Sequence, residues 1–166
     1  MKKTFHFKLS TTQAVMLSFF LAIFVGSILL ALPISSSGSE AVPYIDALFT
    51  ATTSICVTGL VTLPTATTWS TFGHIIILIL IQIGGLGIIT VLFGFMIILR
   101  RKLGLEDRIL IQDAFNLNTL SGLVKFVRKV LLGTFVVEGI GALLYMVVFI
   151  PEFGVKGIWI SIFNSI

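Results

Sequence analysis

The chain has 166 residues, of which 57% are hydrophobic and only 11% are charged. A soluble domain usually carries about 25% charged residues, so this composition places the chain among membrane proteins. Its net charge of +4 does not indicate nucleic-acid binding, because the basic residues are confined to segments that flank the apolar runs. No cluster of ionisable residues forms a catalytic set, so we do not expect an enzyme.

The basic residues fall on one side of the predicted membrane. All Lys and Arg residues except Lys156 lie either before the first apolar run or in the segment 100–129, whereas 33–73 contains none. By the positive-inside rule, residues 1–13 and 100–129 are cytoplasmic and 33–73 faces outside.

Three apolar runs are long enough to cross a bilayer. Residues 14–32 would form a helix of about 28 Å, and residues 75–99 one of about 37 Å that must tilt. The third run, 130–150, ends at Pro151.

The first run has an alternative interpretation as a cleaved signal peptide, because Lys2 and Lys3 precede it. The uncharged run from Gln13 to Leu32 is longer than a typical signal core, and no A-x-A site follows it. We therefore interpret it as a retained transmembrane helix.

The cytoplasmic segment 100–129 mixes charged and apolar residues. Its part 103–129 fits one or two amphipathic helices at the inner surface of the membrane. A plain solvated connector fits it equally well.

The outside connection, 33–73, is too long for a simple loop. Residues 42–54 predict a helix of about 18 Å, half the thickness of a bilayer. The polar stretch "TSICVTG" follows it, and then comes the next span. Because non-helical backbone at membrane depth must pack in protein or line water, this order predicts a re-entrant loop.

The same order of elements starts again later in the chain. A shift of 114 positions places residues 14–32 on 128–146 and the half-helix residues 47–52 on 161–166. Such internal repeats are typical of transporters. We expect a second unit to begin at residue 130, with part of a second pore helix at 157–166.

The polar stretch has the composition of a cation filter. Backbone carbonyls of Cys56, Val57, Thr58 and Gly59 can replace the hydration shell of an ion, as in K⁺ channels. Glycine permits the backbone conformations required, and the C-terminus of the preceding helix favours a cation. An ordinary turn between two helices is the alternative, but it gives no reason for the half-helix.

Two further features lie within the apolar runs. Glu138 sits near the middle of the third run, where a carboxyl group must face protein or water. It is either part of an ion path or a hydrogen-bonded structural group, and both interpretations stay open. Gly84, Gly85 and Gly87 do not match a phosphate loop and indicate close helix packing.

The stretches "ALFTATTSICVTGLVT", "IQIGGLGIIT" and "RRKLGLEDR" resemble the first membrane–pore–membrane unit of the Trk/Ktr/HKT K⁺ transporters, and the bacterial Ktr-type membrane subunit in particular. The resemblance implies an all-α polytopic membrane protein built from K⁺ channel-like units. The first unit would be 14–99, with its pore helix at 42–54 and an extended filter strand at 55–60. By the resemblance Gly59 is the filter glycine. The pore-helix residues it assigns are Leu48, Phe49, Thr53 and Ser54.

The same resemblance implies ions and partners. K⁺ would be the transported ion, with Na⁺ as a candidate coupling ion and no organic cofactor. The partners would be the lipid bilayer of a bacterial plasma membrane, a second copy of the transporter, and a cytosolic nucleotide-binding ring. Because the family has four units per chain, we interpret these residues as the N-terminal part of such a transporter. The alternative is a non-conducting anchor or assembly subunit that docks a cytoplasmic partner through 103–129.

Overall fold

The structure, a computed structural model, describes residues 11–38, 40–98, 104, 109, 112 and 122–166. In chain order its helices are α1 (Thr11–Ala31), α2 (Tyr44–Ile55), α3 (Thr65–Thr68), α4 (Thr71–Leu86), α5 (Ile88–Ile98), α6 (Leu123–Phe153) and α7 (Lys156–Ser165), with a 3₁₀ turn at Pro33–Ser35. The expected amphipathic linker falls mostly outside the described residues. Its last residues belong to the start of α6.

The half-length helix α2 packs between α1 and α4. Its small residues Ala47 and Ala51 are fully buried. They lie in a core that also contains Leu30 of α1 and Ile77 and Leu80 of α4. Because a half-length helix cannot cross the bilayer, this packing is what holds α2 in place beside two long helices.

The outer ends of α1 and α4 are tied together by the connecting segments. The Ser70 backbone N–H donates to the Ser35 carbonyl at 2.9 Å, and the Ser70 hydroxyl donates to the Ile34 carbonyl at 2.6 Å. The same hydroxyl accepts from the Gly73 N–H and caps the start of α4. Trp69 is 1% exposed beneath these hydrogen bonds, so the segment before α4 is packed against the rest of the fold.

The second span differs from the continuous helix predicted over 75–99. Its helix begins earlier, at Thr71, and breaks at Gly87, beyond which the chain turns by 103° into α5. Gly87 has a φ of +78°, a value that a right-handed helix cannot contain. The prediction was wrong here because hydropathy measures apolar length and does not report backbone direction.

The third span is longer than the predicted 130–150. Helix α6 starts after Gly122 and runs past Pro151 to Phe153. A proline near the end of a helix removes one hydrogen bond without stopping the last turn. Gly154, with a φ of +60°, ends the helix instead.

Helix α7 returns along α6 much as α2 returns along α1. Gly157 allows the start of α7 to lie against the carbonyl of Phe149. Ser161, which the shift of 114 places on Ala47, is fully buried, as Ala47 is. The structure therefore contains a second short helix at the expected place in the chain.

Two of the described helices are long and apolar enough to cross a membrane by themselves, the segments Thr12–Ala31 and Val124–Phe153. The bent pair α4 and α5 gives a third if it is counted as one span. The chain is an all-helical membrane protein in the residues described.

Candidate filter and neighbouring polar pair

The candidate site lies where α2 ends and the chain turns back toward α4. The N–H of Cys56 donates to the Thr52 carbonyl at 2.9 Å, and the N–H of Thr58 donates to the Thr53 carbonyl at 3.1 Å. The N–H of Val57 donates to the Ser54 carbonyl at 3.3 Å. The last carbonyls of the helix therefore accept the N–H groups of the segment that follows.

The backbone of this segment is not the extended strand that the sequence predicts. Residues 56 and 57 form a turn, and φ is positive at both Val57 (+52°) and Gly59 (+72°). For a β-branched residue a positive φ is a genuine outlier, costing about 1–3 kcal/mol when the surroundings impose it. Such strain is concentrated at functional sites. Here the strained residue, Val57, lies two positions before Gly59, which adopts a positive φ without this cost.

Thr53 holds this strained segment in place. Its hydroxyl lies 2.6 Å from the Thr58 hydroxyl and accepts the Leu60 backbone N–H at 2.9 Å. Thr53 is only 9% exposed. The Thr53 side chain thus fixes both ends of the segment 58–60.

The carbonyl oxygens of the segment have no such partners. Within the residues that the structure describes, no donor reaches the carbonyls of Cys56, Val57, Thr58 or Gly59. A dehydrated cation needs oxygen ligands in place of its water, and carbonyl oxygens without a hydrogen-bond donor can supply them.

A cavity of about 460 Å³ lies on this segment. Its lining includes Thr53 and Ser54 of α2, Val57 to Leu60 of the segment, and Phe163 and Asn164 of α7. The end of α7 therefore reaches the same space as the end of α2. We call this space the outer cavity.

Helix α4 contacts the end of α2 through a glycine. A Cβ built at Gly84 would lie far inside van der Waals distance of the Ile55 carbonyl, whereas one built at Gly85 would meet nothing within 4 Å. The prediction of close packing by glycine therefore holds for Gly84 and fails for Gly85, and Gly87 breaks the helix instead.

Glu138 lies at the midpoint of α6, half-buried, and accepts a hydrogen bond from the side-chain amide of Gln82 in α4. A second cavity, of about 180 Å³, lies at this pair and also contacts Val57. Sequence reasoning identified Glu138 but missed Gln82. The available signal was a single amide in the otherwise apolar run "IIILILIQI".

The other predicted site residues are distributed as follows. Thr53 and Ser54 are buried on the packed face of α2, while Leu48 and Phe49 are 36% and 38% exposed on its other side. Cys56 is exposed. In the part of the chain that the structure describes, no group of three or more His, Cys, Asp or Glu residues could hold a metal ion.

Comparison with known proteins gives related transporters. The chain is 44% identical over 167 aligned positions to the potassium/sodium uptake protein NtpJ of Enterococcus hirae. The aligned region covers 100% of this chain and 37% of that protein. It is 39% identical to the Ktr system potassium uptake protein B of Bacillus subtilis and 32% identical to that of Vibrio alginolyticus, each over 93% of this chain and 34% of the relative. The chain spans about a third of the length of these relatives.

A family model described as a cation transport protein, TrkH, matches residues 2–161, nearly the whole chain. This match confirms the resemblance to the Trk/Ktr family that the three quoted stretches carry. The chain belongs to the TrkH family of cation transport proteins.

Proposed function

We propose that these residues are the N-terminal part of a longer K⁺ uptake transporter, and that the segment Cys56–Gly59 contributes its backbone carbonyls to the selectivity filter. The observation that carries the proposal is the asymmetry of hydrogen bonding in this segment. The N–H groups of Cys56, Val57 and Thr58 are bound to carbonyls at the end of α2, and the carbonyl oxygens of the segment have no donor among the described residues.

Electrostatics agrees with a cation as the ligand. The C-terminal end of α2 carries the negative end of the helix dipole, and it meets the segment at Cys56. Helices α2, α4 and α5 contain no Lys or Arg, and their one histidine, His74, lies in the first turn of α4, about two turns before Ile81. A positive charge at the segment is therefore attracted, with no Lys or Arg on these helices to compete with it.

The choice of ion rests on relatives. The Bacillus and Vibrio proteins are named for potassium uptake and the Enterococcus protein for potassium/sodium uptake. For this chain we propose K⁺ as the transported ion and Na⁺ as the candidate coupling ion.

The remaining assignments follow the family resemblance and the charge pattern. We propose a bacterial plasma-membrane protein with a cytoplasmic N-terminus that works as a homodimer with a cytosolic nucleotide-binding ring. A non-conducting anchor subunit would give no role to a strained segment with free carbonyls, so we favour transport.

The proposal is tested by Gly59→Ser in the complete transporter chain. Gly59 has a φ of +72°, so a side chain there adds strain of about 1–3 kcal/mol to a conformation that aims carbonyls at the ion. We expect the preference for K⁺ over Na⁺ to fall by about tenfold, measured as competitive uptake into vesicles.

The matched control is Gly38→Ser, the same change at an exposed glycine of the outer connection. It should leave the preference unchanged. An unaltered K⁺/Na⁺ preference in folded Gly59→Ser would remove the filter assignment.

A further inference from the structure

We propose that the 180 Å³ cavity beside the filter segment, hereafter the inner cavity, is a second monovalent-cation site whose charge is the Glu138 carboxylate. Gln82 and Thr134 would be its neutral oxygen ligands. The inference rests on the proposed transport function and adds a site to it.

The position of the inner cavity connects it to the filter. Its lining residues are Val57, Ile81, Gln82, Gly85, Leu86, Thr134, Glu138 and Ile166. Val57 also lines the outer cavity, so the two spaces meet at the same strained residue. At about 180 Å³, the inner cavity exceeds the roughly 30 Å³ that one water occupies in the liquid, leaving room for an ion and its remaining water.

The inner cavity is lined by one acidic residue and by no basic residue, which favours a bound cation. Glu138 lies at the middle of a membrane-spanning helix, where a carboxylate must be paired or reach water. None of the residues lining the cavity is Lys, Arg or His. Among the described residues, the side-chain partner of Glu138 is the neutral amide of Gln82. No cationic side chain therefore lies at the cavity to balance a carboxylate.

The side chains around the inner cavity offer a set of oxygens. Gln82 donates through Nε2 to one carboxylate oxygen of Glu138. The other carboxylate oxygen of Glu138 and the Oε1 of Gln82 are left as acceptors. Thr134 lies one turn before Glu138 on the same face of α6. Carboxylate, amide and hydroxyl oxygens from two helices are suitable ligands for a hard cation.

A purely structural bridge between α4 and α6 is the competing explanation, and Glu138→Gln separates the two. The substitution keeps the shape of the side chain and its ability to bond Gln82, but it removes the charge. A structural bridge should tolerate this change, whereas a cation site should not.

The experiment uses the complete transporter in vesicles, with Rb⁺ uptake as the probe of K⁺ transport and the thermal midpoint in detergent as the measure of folding. For Glu138→Gln we expect KM to rise on the order of tenfold, with the K⁺/Na⁺ preference and thermal midpoint unchanged. The double variant Gln82→Glu/Glu138→Gln returns one carboxylate to the cavity from the opposite helix, so we expect its KM to move back toward the original value.

Glu152→Gln is the matched control, because Glu152 is an exposed carboxyl at the far end of the same helix. It should leave KM unchanged. An unchanged KM in Glu138→Gln, or a folded double variant that recovers no affinity, would overturn the cation site. The filter assignment fails separately, by an unaltered ion preference in Gly59→Ser.

Discussion

Thr53 is the residue on which the filter segment depends most directly. It sits in the last turn of α2, where its hydroxyl contacts Thr58 and accepts the Leu60 N–H. The hydroxyl of its neighbour Thr52 bonds only the Leu48 carbonyl of its own helix, at 2.7 Å. The two adjacent threonines therefore form different hydrogen bonds, and the sequence alone does not show which of them contacts the segment 58–60.

We predict that Thr53→Val destabilises the protein and loosens the filter. Valine has nearly the same shape but leaves the Leu60 N–H without a partner, at a cost of about 1–3 kcal/mol. The thermal midpoint in detergent and the K⁺/Na⁺ preference should both fall. Thr52→Val is the control and should change both little; equal behaviour of the two variants would contradict the role assigned to Thr53.

At the scale of the elements, the packing of α2 on α4 decides where the proposed filter segment lies. The Ile55 carbonyl approaches α4 at Gly84 so closely that no side chain fits between them. The next residue along the chain, Cys56, begins the segment with free carbonyls. Any displacement of the end of α2 is therefore passed to the filter.

We predict that Gly84→Ala shifts the end of α2, lowering the thermal midpoint and the K⁺/Na⁺ preference together. The added methyl group meets backbone atoms, which cannot rotate away as a side chain does. Gly85→Ala is the control in the same helix, and it is compared by thermal midpoint and K⁺/Na⁺ preference only, because Gly85 also lines the inner cavity, where a methyl group can alter KM. Because nothing lies near it, it should be neutral or stabilise by up to about 1 kcal/mol.

If both alanine variants keep the original midpoint and ion preference, the contact at Gly84 does not position the filter. A loss in Gly85→Ala alone would contradict the packing described here.

At the scale of the whole molecule, the chain repeats one arrangement, a long helix followed by a short helix that returns along it. The pairs are α1 with α2 and α6 with α7, and the ends of both short helices reach the outer cavity. The Gln82–Glu138 contact joins α6 to α4, the helix on which α2 packs. The outer cavity is thus built by both halves of the described chain.

We predict that the short helices enter from the outside. In a Cys56→Ser background, Ala66→Cys, in the outer connection, should react with a membrane-impermeant maleimide in intact cells. Lys125→Cys, near the start of α6, should react only after the membrane is permeabilised, because the positive-inside rule places it in the cytoplasm. The parent variant without cysteine controls for background labelling, and the reverse pattern would invert the topology.

The sequence by itself determined the membrane class and the place of the half-length helix, because hydropathy and turn residues act locally along the chain. It also located the polar segment 56–59. It did not determine the conformation there: Val57 favours an extended strand by its intrinsic preference, and only the hydrogen bonds from Thr53 and the end of α2 account for its positive φ.

The contacts between distant residues were decided by the tertiary structure alone. Gln82 and Glu138 are 56 residues apart, and their meeting depends on how α4 and α6 pack. The contact of Ile55 with Gly84 likewise depends on how α2 and α4 pack. The break at Gly87 is set by a backbone torsion that hydropathy does not encode. Local composition identifies which segments enter the membrane, but packing determines which polar atoms face one another there.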